Sequence, residues 1–400
     1  MTKSLRGIVL AAGACVLAVE YCPVPWSAVF VTAALPFLLL GLQAQRAAAT
    51  ALMINSAAVC CAFGLVEGYL GFQQLRGDGT RMEGSITEGF TRTDDVLGYG
   101  PERSVRVTAR KLYGNIPLYD VVYTIGDDGL RIAYPANATP ISGCIVFFGD
   151  SITFGEGVND DQTFAYLVGQ KTAGRYEIYN FGFSGYGPHQ MLAALQAGLA
   201  EWKVTCQPTH FIYLGWFDHI ARVAGLTSWD KHGPRFALDQ SGELQRDGYF
   251  DSPHNLVGAL TLPHGVEVSL ESSFIWARLF GRARHERPAD LTLFLAVVRE
   301  SARLIRDHYP NSQFHVILWD GPEDARTPPI ESALRSASIP VHRLTSAIPD
   351  FRANSTRYAL SLHDLHPNPI VHERLANHII HNILAPSHEC DINCEDFPTH

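Results

Sequence analysis

The chain has 400 residues, in which 40 Asp and Glu outnumber 31 Lys and Arg, so its formal net charge is −9. This acidic balance excludes binding to the phosphate backbone of a nucleic acid, because that function needs a basic surface. Disorder is excluded as well, because 21 Phe, 15 Tyr and 6 Trp are enough to form a large core. The composition predicts a folded protein with one large domain or two small ones.

The first 75 residues contain three apolar stretches, at residues 7–22, 24–42 and 47–66. The last two reach the ~20 residues that a helix needs to cross a bilayer, so we predict a membrane anchor of about three transmembrane helices over residues 1–75. A cleaved signal peptide is the alternative for the first stretch. A buried hairpin of a soluble protein is the alternative for the whole segment.

Basic residues around these stretches predict the topology. Lys3 and Arg6 precede the first stretch and Arg46 lies between the second and third. The positive-inside rule places all three in the cytoplasm. The sequence therefore predicts a multi-pass protein of the cytoplasmic (inner) membrane, with residues 76–400 on the extracytoplasmic side.

The rest of the chain divides by pattern. Residues 76–140 alternate β-favouring runs with glycine turns and predict a small β-rich lead-in of one hairpin and one edge strand. Residues 141–385 then alternate strands with helices, which predicts an α/β fold: a doubly wound, flavodoxin-like parallel sheet of about five strands with helices on both faces. The predicted strands are at residues 144–148, 176–179, 211–214, 315–319 and 341–344, and the predicted helices at 162–171, 188–203, 289–308 and 368–384.

Two segments fall outside this alternation. Residues 219–288 are rich in glycine and proline and contain a possible hairpin at 236–244, so we interpret them as a cap-like insertion over the site. Residues 386–400 form a C-terminal tail.

Four short motifs stand at the predicted strand ends. Gly149-Asp150-Ser151 follows the first strand, Gly185 lies in a glycine-rich loop after the second, a Gly-Trp-Phe-Asp run occupies 215–218, and Asp364-Leu-His366 precedes the last helix. A serine just beyond a buried parallel strand lies where open α/β sheets bind their ligands. An ordinary helix-capping serine is the alternative for Ser151, and a plain strand-closing loop for Gly185.

Together these motifs resemble the four sequence blocks of the SGNH (GDSL-type) hydrolase family, over residues 141–385. The resemblance implies a serine esterase that needs no cofactor. It implies Ser151 as the nucleophile, His366 as the base and Asp364 as the residue that orients the base. The N–H groups of Ser151 and Gly185 would bind the oxyanion.

Two blocks depart from the family pattern. Phe217 occupies the position of an asparagine that donates to the oxyanion, and phenylalanine has no donor. His219 and Arg222 are candidate substitutes, although a structural salt bridge is the more ordinary role for Arg222. In the last block the Asp and His are two residues apart instead of three. A metal site formed by His363, Asp364 and His366 is the alternative there.

Three further predictions concern histidines, cysteines and metals. His372, His378 and His381 on the last helix are expected at the surface. Four cysteines outside the anchor allow two disulfides in three connectivities: Cys144, Cys206, Cys390 and Cys394. In sheets of the family that this chain resembles, the first and third strands are neighbours, which implies a Cys144–Cys206 disulfide. We expect no metal site.

The sequence thus predicts a membrane-anchored, extracytoplasmic esterase that acts on a small-molecule, lipid or glycan ester, and no nucleic-acid partner. Two alternatives remain open. One is an O-acyltransferase that modifies an extracytoplasmic polysaccharide with the same residues. The other is a non-catalytic binding module on the same fold, for which Phe217 is the main argument.

Overall fold

The computed structural model describes residues 26–43, 46–75, 79–138, 140–252, 286–321 and 323–385. Internal contacts divide the chain into two units. One consists of Met1–Gly79 with Ser252–His285, and the other of Thr80–Asp251 with Glu286–His400. The four motifs at the predicted strand ends all belong to the second unit.

The described part of the first unit is a helical hairpin. Helix α1 spans Trp26–Gln43 and α2 spans Ala47–Leu75. The two helices approach closely at Gly41, where an added Cβ would lie 3.1 Å from the Cβ of Met53. Among the described helices, one is long and apolar enough to cross a membrane, over Ala47–Leu70 of α2. The structure therefore supports one of the three predicted spans. The first predicted stretch, 7–22, lies outside the described residues.

The second unit begins with five short strands, more than the one hairpin and edge strand predicted for this segment. They are β1 (Thr80–Glu83), β2 (Thr91–Asp94), β3 (Gly98–Pro101), β4 (Val105–Tyr113) and β5 (Ile116–Ile125). An antiparallel sheet has the order β1-β4-β5, and β2 pairs with β3. Side chains on one face of β4 and β5 pack into a hydrophobic core that also contains Phe154. These strands therefore pack directly against the segment that follows Ser151.

The central sheet confirms the predicted fold class. The remaining strands of the second unit are β6 (Gly143–Phe148), β7 (Tyr176–Asn180), β8 (Pro208–Gly215), β9 (Pro234–Leu238), β10 (Leu244–Tyr249), β11 (Gln313–Leu318), β12 (Val341–Arg343), β13 (Ala359–Ser361) and β14 (Asp364–Pro367). Five of them form a parallel sheet in the order β12-β11-β8-β6-β7, which is the flavodoxin-like order. Every residue of β6 is buried, as expected for a strand covered on both faces.

Helices cover both faces of this sheet. They are α3 (Ser151–Phe154), α4 (Phe164–Lys171), α5 (Pro188–Gln196), α6 (Leu199–Lys203), α7 (His219–Val223), α8 (Pro288–His308), α9 (Thr327–Ser336), α10 (Leu344–Ala347), α11 (Ser355–Tyr358) and α12 (Pro369–Asn382). Apolar residues of α5, α8 and α9 pack on one face, and those of α4 and α12 on the other. The helix predicted over 188–203 is two helices, because Gly198 between them adopts a left-handed backbone with φ of 67°.

Two antiparallel hairpins are added to this framework. Strands β9 and β10 pair within the predicted cap segment, close to the hairpin expected at 236–244. Residues 253–285 of that segment lie outside the described residues, so its role as a cap stays a prediction. Strands β13 and β14 pair just before α12, and β14 carries both Asp364 and His366.

Candidate active site

Ser151 is held in a tight turn at the carboxyl end of β6. The carboxylate of Asp150 accepts the N–H of Ile152 at 3.0 Å and so caps the short helix α3, of which Ser151 is the first residue. In the strand order of the sheet, β6 lies between β7 and β8, where the chain direction of successive crossovers reverses. Ligands of doubly wound sheets bind at such a switch point, outside the carboxyl ends of the strands.

The structure brings Ser151, His366 and Asp364 into hydrogen-bond contact. Nε2 of His366 lies 3.0 Å from Oγ of Ser151, although the two residues are 215 positions apart. Nδ1 of His366 lies 2.6 Å from Oδ1 of Asp364, and the same oxygen accepts the backbone N–H of His366. The imidazole is thereby held with one nitrogen on the carboxylate and the other on the hydroxyl, which is the geometry of a nucleophile–base–carboxylate triad.

Charges around the imidazole favour its protonated form. Burial of the ring acts to lower the pKa of His366, but the carboxylates of Glu156 and Asp364 outweigh this effect and hold the pKa above its ordinary value. Burial likewise acts to raise the pKa of Asp364, and its contacts with His366 and Lys111 reverse that, so this pKa lies well below the usual range. The carboxylate is therefore charged at neutral pH and can stabilise an imidazolium.

Lys111 of β4 completes the surroundings of Asp364. Its Nζ donates to Oδ2 of Asp364 at 2.8 Å, while Oδ1 is occupied by His366. The Asp364 side chain is almost fully buried, and that of Lys111 is mostly covered. The ammonium of Lys111 therefore binds the oxygen of Asp364 that His366 does not use. It balances the buried negative charge of Asp364 and fixes the orientation of the carboxylate. The lead-in strands therefore contribute directly to the site.

A second carboxylate, that of Glu156, faces the reacting end of His366. Oε2 of Glu156 is 3.8 Å from Nε2 of His366, and it accepts the hydroxyl of Ser184 at 2.7 Å. Ser184 precedes Gly185 in the loop after β7, so Glu156 bridges the nucleophile turn and the glycine loop. This position makes Glu156 a negative charge beside the path of the transferred proton.

The loop at Gly185 requires glycine for two reasons. Its φ is 82°, in the left-handed region, and an added Cβ would lie 2.5 Å from both Nε1 of Trp229 and Oη of Tyr99. Among the described residues, the N–H groups of Gly185 and Ser151 have no hydrogen-bond acceptor. Both loops lie at the carboxyl ends of the parallel strands, the edge of the sheet that we call the catalytic rim. Two free N–H groups in these loops are the kind of donors that an oxyanion needs.

The candidates for a third oxyanion donor are engaged elsewhere. Oδ2 of the buried Asp150 lies 3.0 Å from Nη1 of Arg222, 3.1 Å from Nε2 of His219 and 3.2 Å from Nε1 of Trp216. Burial acts to raise the pKa of Asp150, but Arg222 and His219 overcome this and hold it well below the usual range. His219 and Arg222 therefore support the turn that carries Ser151. The guanidinium of Arg326 packs over the ring of Phe217, with Cζ of Arg326 4.4 Å from the ring centroid.

The residues proposed for a metal site are also occupied. The ring of His363 stacks on Tyr113 with centroids 3.6 Å apart, while Asp364 and His366 bind one another. In the described part of the chain, the one group of three potential metal ligands with closely spaced atoms is Cys144, Glu177 and Cys206. Its two cysteines are joined as a disulfide with Cα atoms 5.8 Å apart. This pair lies at the amino ends of β6 and β8, remote from the catalytic rim. Cys390 and Cys394 lie outside the described residues.

The prediction of a surface position for His372 is wrong. Its side chain is completely buried, and Nδ1 accepts the N–H of Phe164, the first residue of α4. Burial, with Arg131 and His366 nearby, lowers the pKa of His372 to about 3, so the ring is neutral. His378 is half-buried and His381 is exposed. The physical reason is that α12 packs on α4, and His372 lies on the buried side of α12 together with Val371 and Leu375.

Three residues of the site were not anticipated from the sequence. Lys111 and Glu156 are described above, and the buried Arg131 donates to the carbonyl groups of Phe154, Gly155 and Val158, which fixes the loop after α3. Only Glu156 had a sequence signal, because it directly follows the Gly149–Gly155 motif. Lys111 and Arg131 precede the motif by tens of residues, and no local pattern marks them.

Comparisons with known proteins give similarity to solved structures alone. No family model and no curated protein matches the chain. It is similar to an α/β hydrolase from the metagenome of Lake Arreo, with 14% identity over 60% of this chain and 94% of that one and a TM-score of 0.33. An acetyl xylan esterase from Butyrivibrio proteoclasticus gives 14% identity, coverage of 60% and 63%, and a TM-score of 0.34.

A third solved structure is a protein of Desulfitobacterium hafniense DCB-2 described as lipolytic and of the G-D-S-L family. It gives 12% identity, covers 58% of this chain and 95% of that chain, and has a TM-score of 0.33. The names thus describe hydrolases and esterases.

Proposed function

We propose that this chain is a serine esterase of the SGNH (GDSL) type, anchored in a membrane and acting on its extracytoplasmic side. The observation that carries the proposal is the contact of Ser151 Oγ with Nε2 of His366 at 3.0 Å, while Asp364 holds Nδ1 of the same ring at 2.6 Å. A serine becomes a nucleophile when a base lies within hydrogen-bond reach and a third group orients that base.

The reaction follows from these contacts. Oγ of Ser151 attacks the acyl carbon of an ester, and its proton passes to Nε2 of His366. The resulting imidazolium is stabilised by Asp364, whose charge is maintained by Lys111. His366 then gives the proton to the departing alkoxide, which leaves as the alcohol. A water molecule, deprotonated by His366, releases the acid and restores Ser151.

The negative charge of the tetrahedral intermediate is assigned to the N–H groups of Ser151 and Gly185. Each such donor typically contributes 10²–10³ in rate, ~2.7–4 kcal/mol of transition-state stabilisation. Phe217 has no hydrogen to donate, and His219 and Arg222 are bound to Asp150. The proposed oxyanion hole therefore has two backbone donors among the described residues.

Labelling by a fluorophosphonate probe tests the nucleophile. The purified full-length protein should be labelled and should hydrolyse p-nitrophenyl acetate, and Ser151→Ala should lose both properties. Ser184→Ala is the matched control, because it removes a neighbouring hydroxyl and should keep the labelling. Absence of labelling in the folded parent protein would reject the esterase and favour the non-catalytic binding module.

The membrane side needs its own test. The support for an anchor is the apolar segment Ala47–Leu70 of α2, and the support for an extracytoplasmic site is the placement of Lys3, Arg6 and Arg46. A reporter that is active only in the cytoplasm, fused after residue 80, should be silent in cells, and the same reporter fused after residue 46 should be active. Activity of the fusion at residue 80 would reverse the proposed orientation.

A second candidate function, acyl transfer to an alcohol, is favoured by Glu156. Its carboxylate lies 3.8 Å from Nε2 of His366, where it can accept a hydrogen bond from an acceptor hydroxyl as well as from Ser184. Product analysis with an acyl donor and an oligosaccharide separates the two functions. Free acid as the sole product supports the esterase, whereas acylated oligosaccharide supports the transferase.

A further inference from the structure

One end of the catalytic unit exposes an unusual set of apolar side chains. Leu362 forms the tip of the β13–β14 turn and is 74% exposed, Leu365 on β14 is 75% exposed, and Ile116 at the start of β5 is 60% exposed. Leu362 and Leu365 flank Asp364, and Leu365 directly precedes His366. We call Ile116, Leu362 and Leu365 the apolar rim.

Contacts within the unit hold the two hairpins of the apolar rim together. Tyr113 pairs with Ile116 across the β4–β5 turn, and its ring stacks on His363 of the β13–β14 turn. Ile116 and Leu362 are therefore presented by adjacent turns. The β4–β5 turn has the usual Gly114-Asn115, but tight turns seldom carry a leucine such as Leu362. Three large apolar side chains exposed at neighbouring hairpin ends therefore need an explanation.

The sequence of these tips also lacks charge. Residues 113–117 read Tyr-Gly-Asn-Ile-Pro and residues 361–363 read Ser-Leu-His, with no Asp, Glu, Lys or Arg among them. A surface that meets water alone gains solubility from charge at such positions. An uncharged tip with large apolar side chains suits the interface of a lipid bilayer.

The covalent chain supplies the second observation. Helix α2 ends at Leu75 and β1 begins at Thr80, so four residues join them. A fully extended chain covers at most ~3.6 Å per residue, which limits the distance from Leu75 to Thr80 to roughly 18 Å. Thr80 pairs with Tyr113, the residue that links the two turns of the apolar rim. A short linker therefore joins the proposed membrane helix to the strand that pairs with Tyr113.

We propose that the apolar rim docks on the lipid bilayer, so that the ester reaching Ser151 is carried by a membrane-inserted amphiphile. This inference rests on the proposed function and names its substrate class. Burial of each apolar side chain in the bilayer is favourable, so two leucines and an isoleucine can orient a tethered unit.

Two substrates and two variants test the proposal. The full-length protein, reconstituted in vesicles of phosphatidylcholine with a tenth of an anionic lipid, is assayed with a long-chain acyl ester placed in the bilayer. Leu362→Ser/Leu365→Ser should lower this activity about tenfold or more, which corresponds to ~1.4 kcal/mol or more. Its activity on water-soluble p-nitrophenyl acetate should stay within twofold of the parent, which shows that the catalytic machinery is intact.

Trp202→Ser is the matched control, because Trp202 is also largely exposed but belongs to α6, near the amino end of β8. It should change neither activity. Equal loss of both activities in Leu362→Ser/Leu365→Ser would overturn the docking proposal, and so would full retention of the activity on the bilayer ester. Absence of all esterase activity in the parent would instead reject the proposed function.

A readout independent of catalysis keeps the docking proposal falsifiable in that case. A photo-reactive amino acid at position 362 of the reconstituted protein should crosslink to lipid on illumination, and the same amino acid at position 202 should not. Crosslinking of position 362 to a second copy of the chain, or to neither lipid nor protein, would overturn the proposal.

Discussion

The catalytic rim has two sides that use similar residue types in opposite ways. On one side, His366 and Asp364 of β14 face Ser151, and their polar atoms meet the nucleophile itself. On the other side, His219 and Arg222 of α7 bind the buried Asp150. In the proposed mechanism the first side transfers a proton, whereas the second side holds the turn that presents the serine.

The difference shows that the role of a histidine near a nucleophile depends on the charged groups around it. His366 has a pKa above its ordinary value because two carboxylates face it, whereas burial and Arg222 lower the pKa of His219. A charged imidazolium is thus favoured at His366 and disfavoured at His219. The following predictions test whether the two sides separate into catalysis and stability.

The largest effect is expected on the proton-transfer side. Ser151→Ala and His366→Ala should each lower kcat by about 10⁴–10⁶, and the double variant should be no worse, because the residues act as one unit. Stopped assays with p-nitrophenyl acetate measure this. The melting temperature should stay near that of the parent, since neither truncation removes a large apolar side chain from the core. Full activity in His366→Ala would remove the triad assignment.

On the supporting side, Asp150→Ala should lower the free energy of unfolding by about 3 kcal/mol, because buried donors of Arg222 and His219 lose the carboxylate that they share, while Asp218 still pairs with Arg222. Urea denaturation measures the change. Asp150→Ala/Arg222→Met is the control, and it should recover part of the loss because the buried guanidinium is gone. A loss below 1 kcal/mol in Asp150→Ala would show that the supporting network is not structural.

The oxyanion loop is tested by Gly185→Ala, which should reduce kcat by about 10²-fold, the loss expected when one backbone donor moves away. Gly242→Ala in the β9–β10 turn is matched in backbone, with φ of 83° against 82°, but nothing lies within 4 Å of its added Cβ. It should therefore share the backbone strain and keep the activity. Equal activity of the two variants would argue against Gly185 as an oxyanion donor.

Lys111→Met should lower kcat about tenfold, ~1.4 kcal/mol, because Asp364 loses the ammonium that balances its buried charge. Steady-state kinetics measure this, and Lys111→Arg should restore most of the rate. Arg110→Met is the control on the same strand, where the side chain is exposed and forms an ion pair with Asp120. If Lys111→Met and Arg110→Met behave alike, the lead-in strands do not serve the site.

The smallest effect is a shift in pH dependence. Only neutral His366 can accept the serine proton, so kcat/KM should fall as pH drops through the His366 pKa. Glu156 raises that pKa, and Glu156→Gln should therefore move the acidic limb to lower pH. On the alkaline plateau the change should stay below about tenfold, ~1.4 kcal/mol. A limb that stays in place, or moves to higher pH, contradicts the electrostatic role of Glu156.

The fold could be predicted from the sequence because its signals are local. The run at 144–148 is continuously apolar, and β6 is buried on both faces. Alternation of such runs with helical segments predicts a parallel sheet, which the strand order confirms. The prediction failed for His372, because a tertiary contact determines where this residue lies. In the sequence it resembles a surface histidine, but its ring accepts the N–H of Phe164 at the start of α4.

The site could be predicted only in part, for the same reason. Ser151, Asp364 and His366 lie in motifs, and the sheet topology assigns their loops to one rim. Lys111 reaches Asp364 from 253 positions away, through the pairing of a hairpin whose sequence shows no catalytic pattern. The roles of His219 and Arg222 could not be predicted, because the spacing of residues along the sequence does not define which partner each side chain binds. Membrane side, domain limits and substrate stay predictions.

The separation of the catalytic groups along the chain has a consequence for biosynthesis. Lys111 and Ser151 are made early, but Asp364 and His366 follow more than two hundred residues later. Ribosomes add residues from the N-terminus at ~5–20 per second, so the two halves of the site are separated in time by at least ~10 s. During that interval the nascent chain holds a serine without its base. The proposed triad is therefore completed only when the last strand pairs, and we expect a truncated product of interrupted synthesis to lack esterase activity.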